Sequence, residues 1–557
     1  MRVVHIFIFF FFICVVTTVH AQQKMAYKFA VFFSNKDTVT YPISKPELFL
    51  SAKSIKRKQQ QNIVVDVFDV PVNSLHIEAL IKAGFNVHNT SRWFNCAIVF
   101  SDNKHAADSL KNIIGVTQVI DVGFSEKKTN TQINKPVDLG EMVTQLEQKL
   151  SNIKNKINQD SNIYGSGYTQ AEMINATKLH QINLNGSGVT IAIIDAGYSN
   201  ANKHVVFKHA LKHLIATYDF VDMEANVFDN DDHGTAVWSC LAANDTFSFI
   251  GTAPSAKYLL LRSEDAKTEF PVEEFYWAIA AEYADSIGAD IISSSLGYNE
   301  FDHDKYNYEQ KHLDGKTTWI TQAANLASKK GLFVINSAGN EGDNLWKQIA
   351  FPADANDVVT VGAVDKKQRF AGFSSVGLTA DGRIKPDLMA LGENVTIANE
   401  MGSIYEGDGT SYSCPILAGG VACLWPLLKN YNATQIINWL HMSGSYYYKP
   451  NKYFGYGVPD LYLVYQLTTN YKNDSLLDVR VLDDKNHHLT FYANHEEKLK
   501  ITFVNALGKQ VFSQTENLKQ PGLIRFKLNG SKKLRNGVYT LHILCDGKKV
   551  IQRLVVI

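Results

Sequence analysis

The alternation of apolar and polar positions changes character several times along the chain. Behind Arg2, an apolar run over residues 3–16 is broken only by His5 and ends in Thr17, Thr18 and the small-residue site Val19-His20-Ala21. A charged start, a short apolar core and a cleavable end predict a secretory signal over residues 1–21. Its roughly 14 apolar residues fall short of the about 20 that a spanning helix needs, and no other stretch reads as long and apolar enough to span. No transmembrane segment is therefore expected in the mature form.

Next come a strand-like stretch at 27–33, a helical one at 74–83, strands at 86–89 and 95–100, a helix near 104–112 and a strand near 116–122. Apart from an insertion between Ser34 and Val72, residues 22–124 thus run in β-α-β-β-α-β order and predict a small α+β unit of the ferredoxin-like kind. Residues 125–160 read as a linker rich in Lys, Asn, Gln and Thr. Within it Leu139, Met142, Leu146, Leu150, Ile153 and Ile157 recur every three or four positions and predict one amphipathic spacer helix.

Over 161–470 the pattern becomes apolar runs (189–194, 258–261, 291–294, 332–336 and 358–364) separated by helical stretches such as 272–287 and 317–330. This alternation predicts an α/β domain with a parallel sheet covered by helices on both faces. From 475 to 557, period-2 segments at 476–482, 488–492, 498–504, 523–528, 538–544 and 549–556 lie between turn signals such as Asn536-Gly537 and Asp546-Gly547. They predict a small antiparallel β-sandwich.

Composition narrows the class. With 45% apolar and 20% charged residues, the chain has material for large cores and little reason for global disorder. Its 55 basic and 55 acidic residues cancel, which excludes a nucleic-acid-coating protein. The cancellation hides opposite charges: 19 basic against 13 acidic residues over 1–160, 21 against 34 over 161–470, and 15 against 8 over 471–557. An acidic middle between basic flanks predicts mutual attraction between the first unit and the central domain. Six cysteines in a chain this long do not make a disulfide scaffold. Cys14 leaves with the signal, Cys240, Cys414 and Cys423 are expected as buried free thiols, and Cys96 and Cys545 fall in other domains.

Four local signals in the α/β region carry chemistry. Ile193-Ile194-Asp195-Ala196-Gly197 puts a carboxylate at the end of a buried strand, and Asp231-Asp232-His233-Gly234-Thr235 opens a helix with a histidine. Ser337-Ala338-Gly339-Asn340-Glu341-Gly342 follows another strand, and Gly409-Thr410-Ser411-Tyr412-Ser413-Cys414-Pro415 leads into an apolar helix. Open α/β sheets build their sites beyond the carboxyl ends of their strands, so all four can converge on one crevice. A serine hydroxyl needs a base to become a nucleophile, a neutral imidazole is such a base, and a buried carboxylate fixes its tautomer. A helix start and an asparagine amide offer donors to an oxyanion. Pro415 is expected within the first turn, where a missing N–H does little harm.

Asp, His, Asn, Ser is the chain order of subtilisin-type triads. Residues 161–470 resemble a subtilisin-family (subtilase, S8-type) serine peptidase domain, and the resemblance implies Asp195, His233 and Ser411 as triad and Asn340 as oxyanion donor. It also implies that Ser294, Ser295, Leu296 and Gly297 pair with substrate backbone, with Ser337, Ala338 and Gly339 alongside. Phe373-Ser374-Ser375, Lys385-Pro386-Asp387 and Gly455-Tyr456-Gly457-Val458-Pro459-Asp460 resemble the same family. Two positions depart from it: Ala196 stands where a small hydroxyl residue is usual, and Cys414 where alanine is common. Residues 22–124, with Asp69-Val70-Pro71-Val72 and Ser91-Arg92-Trp93-Phe94-Asn95, resemble the propeptide that chaperones and inhibits subtilases. The segment 475–557, with Asn536-Gly537-Val538-Tyr539-Thr540, resembles the sorting domain of type IX secretion substrates of Gram-negative bacteria.

The implied protein is a secreted or cell-surface serine endopeptidase acting on proteins or peptides, with its own propeptide and the type IX machinery as partners and no nucleic acid. The alternatives are a non-catalytic surface or adhesion protein on the same fold, and a dedicated processing peptidase for one partner. No cofactor is required. Structural calcium is an option because many subtilases bind it, but Asp229, Asp231 and Asp232 fit no defined calcium loop, and a solvated acidic rim is the favoured reading.

Overall fold

In this computed structural model the described residues are 25–126, 163–447, 449–472, 480–482, 488–493, 498–505, 507–517, 522–527, 537–545 and 548–556. The expected signal and the linker helix lie outside them.

The first unit is built as its pattern predicts. Strand β1 (Met25–Phe33) is followed by helices α1 (Ala52–Gln60) and α2 (Ser74–Lys82), strands β2 (Asn86–Ser91) and β3 (Cys96–Ser101), helix α3 (Ala106–Lys111) and strand β4 (Val116–Glu126). The strands pair antiparallel in the order β2-β3-β1-β4. Helix α1 lies in the insertion to which the sequence assigned no element. It reads AKSIKRKQQ and has no apolar stripe, so periodicity could not signal it. Ser51 caps it by accepting the Ser54 N–H at 3.1 Å, and its buried side chains include Arg57 and Lys58, which find carboxylates on the next domain.

Helices α4 (Tyr168–Met173) and α5 (Ala176–Gln181) lead into the central sheet. Its seven strands are β5 (Thr190–Asp195), β6 (Leu214–Asp219), β9 (Lys257–Arg262), β10 (Ile291–Ser294), β11 (Phe333–Ser337), β12 (Val358–Val364) and β13 (Leu388–Leu391); two hairpins, β7 (Asn244–Asp245) with β8 (Phe249–Ile250) and β14 (Val395–Ala398) with β15 (Ile404–Gly407), stand apart. The order is β13-β12-β11-β10-β5-β9-β6, parallel throughout. Sequence reading missed β6, a half-exposed edge strand, and β13, only four residues long. The pleat divides the core in two. Ile191, Ile193 and Leu260 face helices α6 (His233–Ala242) and α9 (Thr410–Leu428), whereas Ala192, Ile194 and Leu259 face α7 (Val272–Ile287) and α8 (Trp319–Lys329). Helix α9, at 19 residues, is long and apolar enough to span a membrane, contrary to the sequence reading, but 83% of its apolar window is buried inside the protein. Helices α10 (Ala433–Ser443) and α11 (Leu461–Lys472) close this region.

The sheet of the first unit lies on α7 and α8. Phe32, Phe94, Phe275 and Trp319 form an aromatic quartet with ring centroids 5.2–6.2 Å apart across the boundary. Around it the contact is ionic, and buried charge must be paired. Glu282 of α7 accepts from Ser91 Oγ at 2.5 Å, Arg92 N–H at 2.9 Å and Trp93 N–H at 3.0 Å. Asp285 meets Arg57, Lys58 at 3.0 Å and Arg92 at 2.8 Å, while Lys330 meets Asp69 at 2.9 Å. The Asp69 and Ser91-Arg92-Trp93 motifs are therefore docking residues, and the charge asymmetry of the sequence becomes contact.

The C-terminal stretch holds strands β16 (Arg480–Leu482), β17 (His488–Ala493), β18 (Lys498–Asn505), β19 (Gln510–Asn517), β20 (Gly522–Lys527), β21 (Gly537–Cys545) and β22 (Lys548–Val556). They make two antiparallel sheets, β16-β17-β20 and β19-β18-β21-β22. Strand β19 is absent from the sequence reading because it is a largely exposed, polar edge.

Candidate active site

Strand β5 ends on Asp195, fully buried at the carboxyl edge of the sheet. His233 is the first residue of α6, and its backbone N–H donates to Asp231 Oδ1 at 2.8 Å. A Cβ at position 234 would meet the Gly197 carbonyl oxygen at 2.3 Å, so glycine there lets α6 sit against the turn after Asp195. His233 Nδ1–H donates to Asp195 Oδ1 at 2.6 Å, and Ala196 N–H donates to the same oxygen at 2.8 Å. A carboxylate only accepts, so the ring proton sits on Nδ1 and Nε2 is left as the acceptor. Asp195 Oδ2 is buried and has no hydrogen-bond partner among the described residues; Ala196 has no side-chain donor to offer it.

Ser411 is the second residue of α9, where backbone N–H groups have no partner within the helix. Its hydroxyl donates to the Ser295 carbonyl oxygen at 3.4 Å. Asn340 Oδ1 accepts from both the N–H and the Oγ1–H of Thr410, each at 2.9 Å. The Thr410 N–H can only donate, so the amide oxygen is fixed there and Nδ2 is the atom left to donate into the cleft. Pro415 is the sixth residue of α9 and lies in its second turn, not the first. Its missing N–H leaves the Ser411 carbonyl without a helical partner, and Ser295 Oγ donates to that carbonyl at 2.8 Å.

Ser411, His233, Asn340 and Thr410 line one cavity of about 510 Å³. Of the residues the sequence placed along the substrate, Ser295, Leu296, Gly297, Ser337 and Gly339 line it too. Ser294 and Ala338 do not. Ser294 is fully buried and accepts from Trp277 Nε1 at 3.0 Å, and Ala338 is enclosed in the core. Strand β10 stops at Ser294, so Ser295–Gly297 run on past the sheet along the cleft. The Ser374-Ser375 pair anchors the opposite loop: Ser375 N–H donates to Gly339 O at 3.0 Å and Ser375 Oγ accepts Glu341 N–H at 2.9 Å. Lys385 and Asp387 form a buried ion pair at 2.7 Å, joined by His441 at 3.0 Å.

Burial works against the charged form of His233, but Asp195, and after it Asp231 and Asp232, outweigh burial and hold the imidazole up to about 9. Asp232 is the N-cap residue of α6, and Asp231 stands just before it. Among the described residues, the three carboxylates that converge to within 4.8 Å are not Asp229, Asp231 and Asp232 but Glu264, Glu269 and Glu273. Sequence reasoning missed this group, along with Asp265 and Asp302, which line the cavity with Glu264 and Glu269. The acidic run Ser263-Glu264-Asp265 at the end of β9 was the available signal. Cys96, Cys240, Cys414 and Cys423 are free and buried; burial raises all four thiols.

Three segments of the chain match families of known proteins. Residues 186–457 match the model of the subtilase family, residues 28–137 that of the peptidase S8 propeptide domain of Bacteroidota, and residues 485–557 that of the secretion system C-terminal sorting domain. The chain is 32% identical over 241 residues to the thermophilic serine proteinase of Bacillus sp. (strain AK1), covering 43% of this chain and 52% of that one. It is 28% identical over 288 residues to subtilisin DY of Bacillus licheniformis, covering 50% of this chain and 92% of that one. Subtilisin Savinase of Lederbergia lenta is likewise 28% identical over 269 residues, covering 48% and 87%.

Proposed function

Residues 186–457 being a subtilase-family serine peptidase domain set between an S8 propeptide domain and a secretion sorting domain, we propose that Ser411 is the nucleophile of a secreted endopeptidase that works through an acyl-enzyme. The sorting domain places the protein outside the cell or on its surface, and the class of activity is serine-type peptide hydrolysis. In the proposed cycle the Ser411 hydroxyl turns from the Ser295 carbonyl, Oγ attacks the substrate carbonyl carbon, and His233 Nε2 takes the hydroxyl proton. Asp195 keeps the ring oriented and stabilises the imidazolium. The oxyanion is met by Asn340 Nδ2 and the Ser411 N–H. The imidazolium then returns its proton to the leaving amine as the C–N bond breaks, and water releases the acyl group by the same route reversed.

The observation that carries this reading is that His233, held by a 2.6 Å hydrogen bond to buried Asp195, lines one cavity with a serine at a helix start. A serine-directed phosphonate is expected to label the matured protein, and Ser411→Ala to abolish the label. Undiminished labelling of that variant would overturn the assignment. The sheet of residues 25–126, docked on α7 and α8, supports the role of intramolecular inhibitor and chaperone, and the C-terminal sheets that of a signal to the type IX machinery.

A further inference from the structure

One wall of the substrate cavity is unusually acidic. Its lining includes six carboxyl side chains, Asp231, Glu264, Asp265, Glu269, Asp302 and Glu341, against one lysine, Lys267. Among the described residues no lysine or arginine forms an ion pair with Glu264, Glu269 or Asp302. Elsewhere Asp285, Asp387 and Asp219 each hold at least one cation, while the buried Glu274 and Asp354 are held by neutral donors instead. The cleft wall differs in gathering its uncompensated carboxyl groups side by side at a cavity.

The wall is also firmly built. Glu273, 1% exposed, accepts the N–H of Asp265 at 2.7 Å and that of Phe270 at 3.0 Å, so it ties both ends of the segment between them. Glu269 N–H donates to Asp302 Oδ2 at 3.1 Å, and Asp302 N–H returns a bond to the Glu269 carbonyl at 3.0 Å. Tyr298 Oη donates to Glu264. The Tyr298 bond holds the Glu264 side chain at the cavity, and the other bonds fix the backbone that carries Glu269. Burial, and then the neighbouring carboxyl groups, push Glu264 and Glu273 far above the ordinary range; burial, Asp302 and Glu274 push Glu269 up to about 7. The wall holds more carboxyl groups than it can ionise by itself, and a cation brought by a ligand would relieve that.

We propose that this wall is a specificity subsite which takes a lysine or arginine side chain of the substrate, with Glu264, Glu269 and Asp302 as its counter-charge. The proposal rests on the peptidase reading, because the ligand is the polypeptide that Ser411 attacks. The chain's own sequence fits the same chemistry. Strand β4 ends at Glu126 with Phe124 packed 4.7 Å from Phe270, at the end of the acidic segment, and the next two residues in the sequence are Lys127 and Lys128.

The test is digestion of a random peptide library by the matured enzyme, with the cleaved ends sequenced, followed by kcat/KM on a peptide pair that carries lysine or norleucine at the enriched position. Lysine and arginine should be enriched at one fixed position relative to the cleaved bond, and the lysine peptide should be favoured on the order of tenfold or more, the scale of a close charge pair. Glu264→Gln, which keeps a hydrogen-bond acceptor for Tyr298, and Asp302→Asn should each lower that ratio severalfold. Glu269→Lys should turn the preference toward acidic side chains. Cleavage without basic enrichment, or a ratio unmoved in all three variants, overturns the subsite and leaves the peptidase standing. No cleavage of any peptide overturns both.

Discussion

At the scale of single residues, His233 sets the conditions under which the site works. In the proposed cycle the ring must be neutral to accept the Ser411 proton, and Asp195, Asp231 and Asp232 favour its charged form. The acid limb of kcat/KM should therefore lie above the ordinary imidazole value of about 6.5, with activity lost as pH falls through it. Asp231→Asn with Asp232→Asn removes two of the charges while position 231 keeps an amide oxygen to accept the His233 N–H, so the limb should move to lower pH. A limb that stays in place under titration of the double variant would refute the electrostatic account. The proposed triad could be picked out as a candidate because each member belongs to a short motif at a strand end or helix start. The aim of the Asn340 amide was not, since it is set by Thr410, 70 positions further along. Ser294 belongs to the last residue pair of β10, with its side chain held by Trp277, while Ser295, Leu296 and Gly297 line the cavity.

At the scale of elements, α9 shows how a helix can carry a proline without losing its start. Pro415 cannot donate to Ser411, four residues back, and Ser295 supplies the missing bond from outside the helix. Ser295→Ala should leave that buried carbonyl unpaired and cost about 1–3 kcal/mol in urea unfolding. Adding Pro415→Ala restores an N–H to the helix ladder, so the double variant should regain much of the loss. If it is no more stable than Ser295→Ala alone, the compensation described here is wrong. The hydrophobic pattern located the long apolar half of α9 but not its first turns, where Gly, Thr and Ser carry no periodic signal. Helix α1 escaped for the related reason that its buried face is cationic. Strands β6, β13 and β19 escaped because all three are sheet edges, two with weak alternation and one only four residues long. Periodicity reports burial in oil-like surroundings, and it is silent where a segment is held by charge or by its neighbours' backbone.

At the scale of the whole molecule, the near-zero net charge conceals a basic first unit set on an acidic enzyme, and the contact is both ionic and aromatic. Lys53–Asp290 and Lys305–Asp121 have half-exposed cations that salt can screen, whereas Arg57, Lys58 and Arg92 meet Asp285 in buried surroundings that salt hardly reaches. Separately added residues 22–126 should therefore bind the matured enzyme more slowly as salt rises, with a smaller effect on the rate of leaving. Stopped-flow measurement of both rates checks this, and a salt-independent association rate would count against steering by charge. The segment charges made this attraction visible in advance, but only the folded contact shows that Glu282 and Asp285 receive it.

The aromatic quartet gives that contact an optical signature. Trp319 rests 5.2 Å from Phe32 and 5.3 Å from Phe94, both of which belong to the unit whose release is proposed. Once they leave, its indole faces water on that side and its emission shifts to the red. The enzyme thus reports its own unmasking in the colour of its intrinsic fluorescence, with no dye attached and no substrate cleaved.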